Sequence, residues 1–518
     1  MSADRVVVIG AGMGGLAAAV DLARQGVDVQ VLERAAALAR QGVDVQVLER
    51  AAAPGGKMRE VGASDCLIDA GPTVFTMRWV FDSLFNDAGA SLDDALDLHA
   101  CSMLARHAWT AGGQLDLFAD IERSVDAINV FAGSRDADGY RAFCARSREI
   151  YQTLRGPYIA SSRPSPLQLV SRVGFANIAA LWRTEPMRSL WSSLGDYFHD
   201  PRLRQLFGRY ATYVGSSPLA APATLMLIAH VEREGVWIVN GGMRRVADAL
   251  QALGQRHGAR YRFNAHVDEI IIESGRVVGV RTSDGERVDC RAVVFNGDAS
   301  ALGAGLLGGG ARVAAPAIAP AKRSLSALTW CVQTATSSFN LHHHNVFFSD
   351  DYPAEFDAVF RRQEIVSTPT VYVCAQDRAD ETVSASLPQE RLLLLINAPA
   401  NGDQRTFTSD EIAQHASNTV NVLRRCGLDI DAHALQPEQH AVVTAPSDFN
   451  ELFPATGGAL YGRANHGPMA SFARPGAVTP VAGLYLAGGS AHPGPGVPMA
   501  TLSGRLAAQA VIKNLLRG

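Results

Sequence analysis

The amino-terminal residues combine a short apolar strand pattern with a glycine-rich turn. Arg5–Ile9 (RVVVI) is apolar and β-branched after its first position, which is typical of a buried parallel strand. The turn 10–15 (GAGMGG) follows at once, and the next residues (LAAAVDLARQG) carry apolar side chains at helical spacing. A strand, a GxGxxG turn and a helix in this order form the phosphate-binding part of a Rossmann unit. The sequence therefore predicts a dinucleotide-binding site near this end of the chain.

Each glycine of this turn has a physical role in the predicted site. Gly10 permits the tight turn, Gly12 lets the backbone approach a pyrophosphate, and Gly15 lets the helix pack closely on the strand. The start of the helix supplies unpaired N–H groups and a positive dipole for the phosphates. The cofactor contacts expected from the turn are Gly10, Gly12, Gly14 and Gly15.

Sixteen residues are duplicated without change just after the turn. Residues 22–37 (LARQGVDVQVLERAAA) recur as residues 38–53, so each copy offers the strand pattern VDVQVL followed by an acid. A Rossmann unit needs one such strand and one acid for the ribose hydroxyls. The acid is Glu33 if the first copy forms the strand and Glu49 if the second does. We favour Glu33, with Arg34 beside it, because the first copy is contiguous with the glycine turn.

The composition argues against several other classes of function. Lys plus Arg (47) nearly balances Asp plus Glu (51), so there is no broad basic face for nucleic acid. The seven cysteines are scattered singly, without the paired spacing of zinc or iron–sulfur sites. The run His342–His344 could ligate a metal, but neighbouring side chains on a strand point to opposite faces. We therefore expect no metal site.

Five further blocks of sequence carry a resemblance to a known family. They are GGKMREVGASDCLIDAGPTVFT (55–76), GSSPLAAPATLMLIAHVEREGVWIVNGGM (215–243), LHHHNVFFSDDYPAEFDAVF (341–360), LFPATGGALYGRA (452–464) and GLYLAGGSAHPGPGVPMATLSGRLAA (483–508). Together with the glycine turn, these blocks resemble the FAD-dependent phytoene desaturase and carotenoid dehydrogenase family. Within it they are most similar to the hydroxycarotenoid 3,4-desaturases of purple bacteria, also called methoxyneurosporene dehydrogenases.

The resemblance implies FAD as the cofactor and adds candidate residues for its site. In the family, the carboxyl-terminal block contacts the flavin phosphate and ring, and a residue matching Val267 lies over the adenine. We read Gly483–Ala487 as a strand and the residues from Gly504 onwards as a helix. The positions that carry over are Gly56, Lys57, Val267, Gly488, Gly489, Val497, Pro498 and Met499.

The implied activity is the desaturation of an acyclic carotenoid with a 1-hydroxy or 1-methoxy end, which gains a 3,4 double bond. Oxygen or a membrane quinone is the expected electron acceptor. The acids Asp136, Asp138 and 232–234 (ERE) are weak candidates for proton removal, and we assign no catalytic side chain. The alternatives are a phytoene desaturase, a carotenoid isomerase, or a non-catalytic prenyl-binding protein related to Rab GDP-dissociation inhibitors.

The expected architecture is α/β, with a discontinuous Rossmann-like FAD-binding domain and an inserted α+β substrate domain, as in amine oxidases and GDP-dissociation inhibitors. The FAD-binding parts are residues 1–100, 235–310 and 470–518. The substrate parts are residues 101–234, which include the membrane contact, and 311–469. The resemblance and the alternation of strands and helices in the cofactor parts both favour this division.

The segment 155–200 mixes aromatic, aliphatic and arginine residues, including Trp182, Trp191 and Phe198. This mixture is typical of an interfacial helix on anionic lipid, and a C40 polyene must enter from a bilayer. The chain begins with a strand pattern and has no apolar run of the ~18–20 residues that a spanning helix needs. We therefore expect a cytoplasmic protein attached peripherally to the inner or photosynthetic membrane of a bacterium.

Overall fold

The computed structural model describes residues 5–26, 43–174, 177–378, 388–437 and 441–515. The strands within them are β1 (Arg5–Ile9), β2 (Asp44–Leu48), β3 (Glu60–Ala63), β4 (Cys66–Asp69), β5 (Leu98–Ala100), β6 (Met103–Trp109), β7 (Gln114–Phe118), β8 (Trp237–Val239), β9 (Arg260–Arg262), β10 (Val267–Glu273), β11 (Arg276–Thr282), β12 (Arg287–Asp289), β13 (Ala292–Phe295), β14 (Ser326–Thr334), β15 (Thr336–Ser337), β16 (His344–Phe348), β17 (Val371–Ala375), β18 (Glu390–Ala398), β19 (Asp429–Ile430), β20 (Val442–Thr444) and β21 (Leu484–Leu486).

The α-helices of the same residues are α1 (Met13–Ala23), α2 (Trp79–Asp87), α3 (Leu92–Ala95), α4 (Ile121–Ala132), α5 (Ser134–Leu154), α6 (Pro166–Val173), α7 (Ile178–Arg183), α8 (Leu190–Leu194), α9 (Pro201–Gly208), α10 (Leu227–Glu234), α11 (Arg244–Arg256), α12 (Ala299–Ala304), α13 (Tyr352–Asp357), α14 (Ser409–Arg425), α15 (Pro446–Leu452) and α16 (Val497–Leu515).

A five-stranded parallel sheet carries the predicted cofactor site. Its strand order is β21-β13-β1-β2-β9, and every pair is parallel. Parallel sheets are buried on both faces, and Val6, Val7 and Val8 of the central strand β1 are fully buried. The strands come from the residues predicted to bind the cofactor, 1–100, 235–310 and 470–518, so the two ends of the chain meet in one sheet.

A second, mixed sheet of seven strands is built from the inserted parts of the chain. Its order is β20-β14-β18-β17-β16-β6-β7, with antiparallel pairs except for β16 beside β6. These strands come from residues 101–234 and 311–469. The sheets thus follow the expected α/β and α+β parts, while the division into domains stays a prediction.

Helix α1 is the packing centre of the cofactor part. All eleven of its residues are buried, and it packs against α11 and α16. The contact with α16 is close because both helices have glycine there: a Cβ added at Gly504 would lie 2.0 Å from the carbonyl oxygen of Gly14. The helix is therefore stabilised by burial between the sheet and these two helices, and it has no polar face turned to solvent.

Most predicted elements of the cofactor part are confirmed. Strand β1 has the predicted bounds, and the strand predicted at Gly483–Ala487 is β21, Leu484–Leu486. The final helix is an exception, because α16 begins at Val497 and not near Gly504. Proline is compatible with the first turn of a helix, where its missing N–H group has no intrahelical partner, so Pro498 does not delay the start.

The predicted interfacial helix in segment 155–200 is wrong as a single element. Its described residues contain three separate short helices, α6, α7 and α8. Pro166 begins α6, and Gly174, whose φ is +89°, ends it. Across the described ranges, none of the helices combines the length and the apolar character required to cross a membrane.

Acidification should destabilise the fold because several histidines are buried in their neutral form. Burial lowers the pKa of His107 to about 3 and that of His343, His466 and His492 to about 4. Below about pH 6.5 these histidines are protonated in the unfolded chain but stay neutral in the folded protein, so the unfolded chain binds more protons. The stabilisation is therefore complete above pH 6.5 and is lost as the pH falls towards 4.

We expect each such histidine to lower the free energy of unfolding by up to about 1.4 kcal/mol per pH unit in this window. Burial raises the pKa of Glu232 and Glu355, which offsets part of the loss. Urea unfolding at pH 7.5, 6.0 and 5.0 measures the effect. A midpoint that stays constant or rises on acidification would contradict this assignment.

Candidate functional site

The glycine turn forms a tight junction between β1 and α1. Gly10 has a φ of +96°, and its N–H group donates to the carbonyl oxygen of Leu48 at the end of β2 (2.8 Å). A Cβ added at Gly15 would lie 2.0 Å from the carbonyl oxygen of Gly10. The turn can therefore close only because Gly15 has no side chain, and it brings the first N–H groups of α1 to the carboxyl ends of the strands.

A second glycine turn meets the first one at the start of α1. A Cβ added at Gly14 would lie 2.7 Å from the backbone nitrogen of Gly488, which follows β21. The side chain of Asn296, at the end of β13, fills the space beside both turns and comes within 2.7 Å of the Cβ positions of Gly12 and Gly14. Three parallel strands thus deliver backbone and amide groups to one point.

The second copy of the duplicated segment, and not the first, supplies the strand beside β1. Strand β2 (44–48) pairs with β1 along its whole length, and β13 occupies the other edge. The prediction that the first copy forms the strand beside β1 is therefore wrong. Contiguity with the glycine turn is the weaker constraint, because the second copy also connects directly to the 55–57 (GGK) segment. Glu33, Arg34 and the strand expected at residues 27–32 lie outside the described residues.

Glu49 stands at the end of β2 with its carboxylate turned towards the glycine turn. Its Oε2 accepts from the N–H group of Ala11 (2.6 Å) and its Oε1 from that of Ala51 (2.8 Å). The side chain is buried. Each carboxylate oxygen can accept a further hydrogen bond, so Glu49 can hold a ribose diol while it also fixes the turn.

The segment expected to cover the adenine runs past this acid. The N–H group of Ala265 donates to the carbonyl oxygen of Glu49 (2.9 Å), and that of Asn264 donates to Ala51 (3.0 Å). Val267 follows as the buried first residue of β10. Its contact with the adenine stays a prediction, and its place two residues beyond the Glu49 contact is compatible with it.

Gly56 and Lys57 lie against the same turn. The N–H group of Gly55 donates to the carbonyl oxygen of Ala11 (2.9 Å), and a Cβ at Gly56 would lie 3.3 Å from the Cα of Gly12. Lys57 is partly buried, its ammonium group donates to the carbonyl oxygen of Leu460, and the loss of hydration lowers its pKa. A partly dehydrated cation beside the phosphate-binding turn gains stability from an anionic ligand.

The carboxyl-terminal block forms the other side of the site. Gly488 has a φ of +105°, its N–H group donates to the hydroxyl of Ser503 (3.1 Å), and Gly489 follows it. Val497, Pro498 and Met499 form the first turn of α16, where backbone N–H groups have no partner within the helix. These positions stay predicted contacts, now placed at a helix amino-terminus that favours negative charge.

Two site residues were missed from the sequence. Asn296 ends β13, next to β1, and its Oδ1 is buried with no hydrogen-bond partner among the described residues. Arg474 is buried and donates to the carbonyl oxygens of Tyr461, Arg463 and Gly489, and burial lowers its pKa to about 10. The position of Asn296 at the carboxyl end of a parallel strand was a usable signal. Arg474 gave none, because its partners are distant backbone carbonyls.

These observations fit a dinucleotide such as FAD. The glycines leave a cradle that added Cβ atoms would fill, and Asn296 turns an unpartnered amide oxygen towards it. The buried Arg474 and the partly buried Lys57 are cations that interact electrostatically with the carboxylate of Asp298. Glycine N–H groups, two helix amino-termini and these two cations together suit a pyrophosphate, and Glu49 suits a ribose.

The side chains of the histidine run do not alternate between opposite faces as predicted. His343 and His344 have ring centroids 4.6 Å apart, so their side chains do not point to opposite faces. The reason is that β16 begins only at His344, and strand alternation does not extend to His343. With Cys374 they place three buried donor atoms within 4.8 Å of one another. The expected absence of a metal stays a prediction.

Comparison with protein families gives matches over almost the whole chain. The family described as flavin containing amine oxidoreductase matches residues 34–512, and an NAD(P)-binding Rossmann-like domain matches residues 8–36. Hydroxyneurosporene desaturase of Rubrivivax gelatinosus is 50% identical over 512 residues, which are 99% of this chain and 94% of the relative.

Relatives at lower identity are named for the same or a related desaturation. Hydroxyneurosporene desaturase of Cereibacter sphaeroides is 43% identical over 99% of this chain and 98% of its own. The 1-hydroxycarotenoid 3,4-desaturase of a Flavobacterium is 28% identical over 98% and 99% of the two chains. Among solved structures, cyclohexylamine oxidase from Brevibacterium oxydans has a TM-score of 0.56 at 16% identity and covers 99% of this chain and 100% of its own, which shows the shared fold.

Proposed function

Because the chain belongs to the flavin-containing amine oxidoreductase family, we propose that it introduces the 3,4 double bond into an acyclic carotenoid with a 1-hydroxylated end. The observation that carries the proposal is 50% identity over 512 residues to a hydroxyneurosporene desaturase. The predicted fold and FAD dependence are confirmed by the family match, and the resemblance to carotenoid desaturases is confirmed by the relatives.

Removal of two hydrogens from a carbon–carbon bond needs an electron sink that side chains lack, and FAD supplies it when bound. The substrate loses a hydride from one carbon and a proton from its neighbour. The chain's own part is to hold the cofactor, through the glycine turns, Glu49 and Lys57, and to place the allylic carbons against it. Positioning and the exclusion of water then account for most of the protein's contribution.

The direct test is turnover of a hydroxylated acyclic carotenoid in liposomes by the FAD-loaded protein. We expect a product lighter by two hydrogens per new double bond, with absorption shifted to longer wavelength. An isomerase would leave the mass unchanged, and a phytoene desaturase would act on the colourless precursor in preference. A protein that binds no FAD and changes none of these substrates would favour the non-catalytic prenyl-binding alternative.

The electron acceptor completes the reaction. Two electrons leave the substrate in each cycle, and oxygen or a membrane quinone is the acceptor that we propose. Anaerobic turnover with and without added quinone separates the two: activity that requires quinone favours the membrane acceptor, whereas activity that requires air favours oxygen.

We also propose that the protein binds a membrane surface through its α6–α7 region. Leu167 and Trp182 are 82% and 66% exposed, and Met187 is also exposed. Arg172 and Arg183 lie on the same two helices. Apolar side chains with basic neighbours suit the interface of an anionic bilayer, where a water-insoluble substrate is available.

Replacing Leu167 and Trp182 together by glutamate should reduce sedimentation with vesicles of anionic phospholipid at least tenfold. The two new charges would have to enter the interface that the apolar side chains occupied. Val130→Glu is the matched control, since Val130 is 89% exposed on α4, outside this region. Equal binding of both variants would contradict the assignment, and unchanged FAD absorption would show that folding is intact.

A further inference from the structure

A small cavity between the seven-stranded sheet and α10 is lined by both apolar and polar side chains. The apolar lining consists of Val74, Leu104, Ala105, Val236 and Val346. The polar lining consists of Arg209, Tyr213, Glu232, His344 and Tyr372. The cavity has a volume of about 10 Å³, which is room for one water-sized group such as a hydroxyl, and its lining offers placed polar groups among apolar ones.

Most of the polar lining is already satisfied by internal hydrogen bonds. The Glu232 carboxylate accepts from the hydroxyls of Tyr210 (2.8 Å) and Tyr213 (2.5 Å). Arg209 donates to the Tyr213 hydroxyl (3.1 Å) and lies over the Tyr372 ring. The charges of Arg209 and Glu232 therefore compensate each other inside the protein. Their polar atoms are mostly hydrogen-bonded already and have few donors or acceptors left for a ligand.

His344 is the exception. It is 4% exposed, and its Nδ1 is bonded to the hydroxyl of Tyr372 (2.7 Å), which in turn is bonded to the hydroxyl of Thr73 (2.7 Å). These contacts fix the ring and direct the other nitrogen. That nitrogen, Nε2, is buried and has no hydrogen-bond partner in the described part of the chain. A buried polar atom without a partner is costly, and a ligand group that bonds to it removes the cost.

A hydroxyl group is suited to this nitrogen in either neutral form of the ring. If Nδ1 accepts from Tyr372, Nε2 carries the proton and donates; if Nδ1 donates, Nε2 accepts. A hydroxyl can both donate and accept. Burial lowers the pKa of His344 far below its usual value, so a neutral ring and a neutral partner are expected.

Residues near two parts of the cavity lining in sequence contact the Lys57 and Tyr461 segments. On one side, Val74 follows Gly71, where an added Cβ would lie 1.9 Å from the carbonyl oxygen of Lys57. On the other, Tyr213 precedes Gly215, where an added Cβ would lie 2.5 Å from the Tyr461 ring. Lys57 donates to the carbonyl oxygen of Leu460, the residue before Tyr461, so the Lys57 segment contacts a neighbour of each of these two parts of the lining.

We propose that His344 Nε2 binds the terminal hydroxyl of the carotenoid and so selects hydroxylated ends over unsubstituted ones. The inference rests on the proposed function for the identity of the substrate. In a 1-hydroxy carotenoid, only C2 separates the hydroxyl-bearing carbon from the C3–C4 bond. A hydroxyl bound at His344 therefore fixes the position of that bond relative to the protein, so one interaction sets both selectivity and register.

The test compares pigment binding by the FAD-loaded protein and its variants. Equal amounts of a 1-hydroxylated acyclic carotenoid and its unsubstituted counterpart are offered together in detergent, and the bound pigments are extracted after gel filtration. We expect the wild type to prefer the hydroxylated pigment roughly 5- to 150-fold, the range for one buried polar group left unpaired or satisfied. In His344→Phe the ratio should fall to near one.

Two further variants keep the proposal falsifiable. His344→Gln places an amide near the Nε2 position and should keep part of the preference. His343→Gln is the matched control, since His343 is buried beside it, bonds to the Arg378 carbonyl oxygen and does not line the cavity. It should bind as the wild type does. If His344→Phe does not retain FAD, the Gln variant decides the comparison.

The proposal is overturned if the wild type shows no preference, or if both His344 variants keep the full preference. Desaturation of the same pigments is measured separately. A wild type that binds hydroxylated pigment selectively but never desaturates it would overturn the proposed function and leave the binding assignment standing. A wild type that desaturates both pigments equally and binds them equally would overturn the binding assignment alone.

Discussion

Gly15→Ala will yield a protein that carries no flavin after desalting. The added Cβ would lie 2.0 Å from the carbonyl oxygen of Gly10, a backbone atom in the turn itself. Either α1 moves away from β1 or the turn opens, and both displace the N–H groups that face the pyrophosphate. We also expect a loss of about 1–3 kcal/mol in the free energy of unfolding, typical of overpacking in a dense core.

Visible absorption after desalting measures the flavin, and chemical unfolding measures the stability. Gly62→Ala is the control, because Gly62 lies in β3 with no atom within 4 Å of its Cβ position. A Gly15→Ala protein with wild-type flavin content would show that the turn is not the phosphate site. A Gly62→Ala protein that lost its flavin would show that the assay reports general damage.

Glu49→Gln will weaken FAD binding about 10- to 100-fold, while Glu33→Gln will leave it unchanged. Glu49 accepts from two backbone N–H groups and can accept from a ribose as well. An amide has only one acceptor oxygen, so at least one charge-assisted hydrogen bond is lost, each worth about 1.5–3 kcal/mol. The control is closely matched because Glu33 is the same residue in an identical copy.

Titration of the flavin-free proteins with FAD measures both affinities. Equal weakening by the two substitutions, or weakening by Glu33→Gln alone, would overturn the assignment of the ribose site to Glu49. The chain lacking residues 27–42 is a useful reference, since it contains one copy and joins Gly26 directly to Val43. It should bind FAD at least as tightly as the full chain, because its single copy satisfies the spacing to both glycine segments.

The cofactor site could be predicted where local pattern decides the structure. A β-branched run before a glycine turn has few alternatives, and β1, the turn and the start of α1 follow the prediction. The two copies are indistinguishable locally, so sequence alone could not decide between them. The outcome depends on which copy connects to the Gly55 segment, whose N–H group bonds to Ala11.

Long-range packing explains the remaining differences. The start of α16 at Val497 depends on contacts with the first glycine turn, to which Gly488 and Gly504 are pressed. The pairing of Arg474 with three distant carbonyls, and the convergence of His344, Tyr372 and Thr73, involve residues far apart in sequence. A single sequence carries no local signal for contacts between residues so far apart. The histidine run was visible in the sequence, but its partners were not.

The union of both chain ends in one sheet has a consequence for synthesis. Helix α1 is buried on every side, yet its partner α16 begins at Val497 and the edge strand β21 at Leu484. At 5–20 residues per second, roughly 25–100 s separate the emergence of α1 from that of α16. During that time α1 lacks its partner helix, and the proposed flavin site lacks its carboxyl-terminal side. Cofactor loading is therefore a post-translational event, and a chain truncated before α16 would be a chaperone client rather than an enzyme.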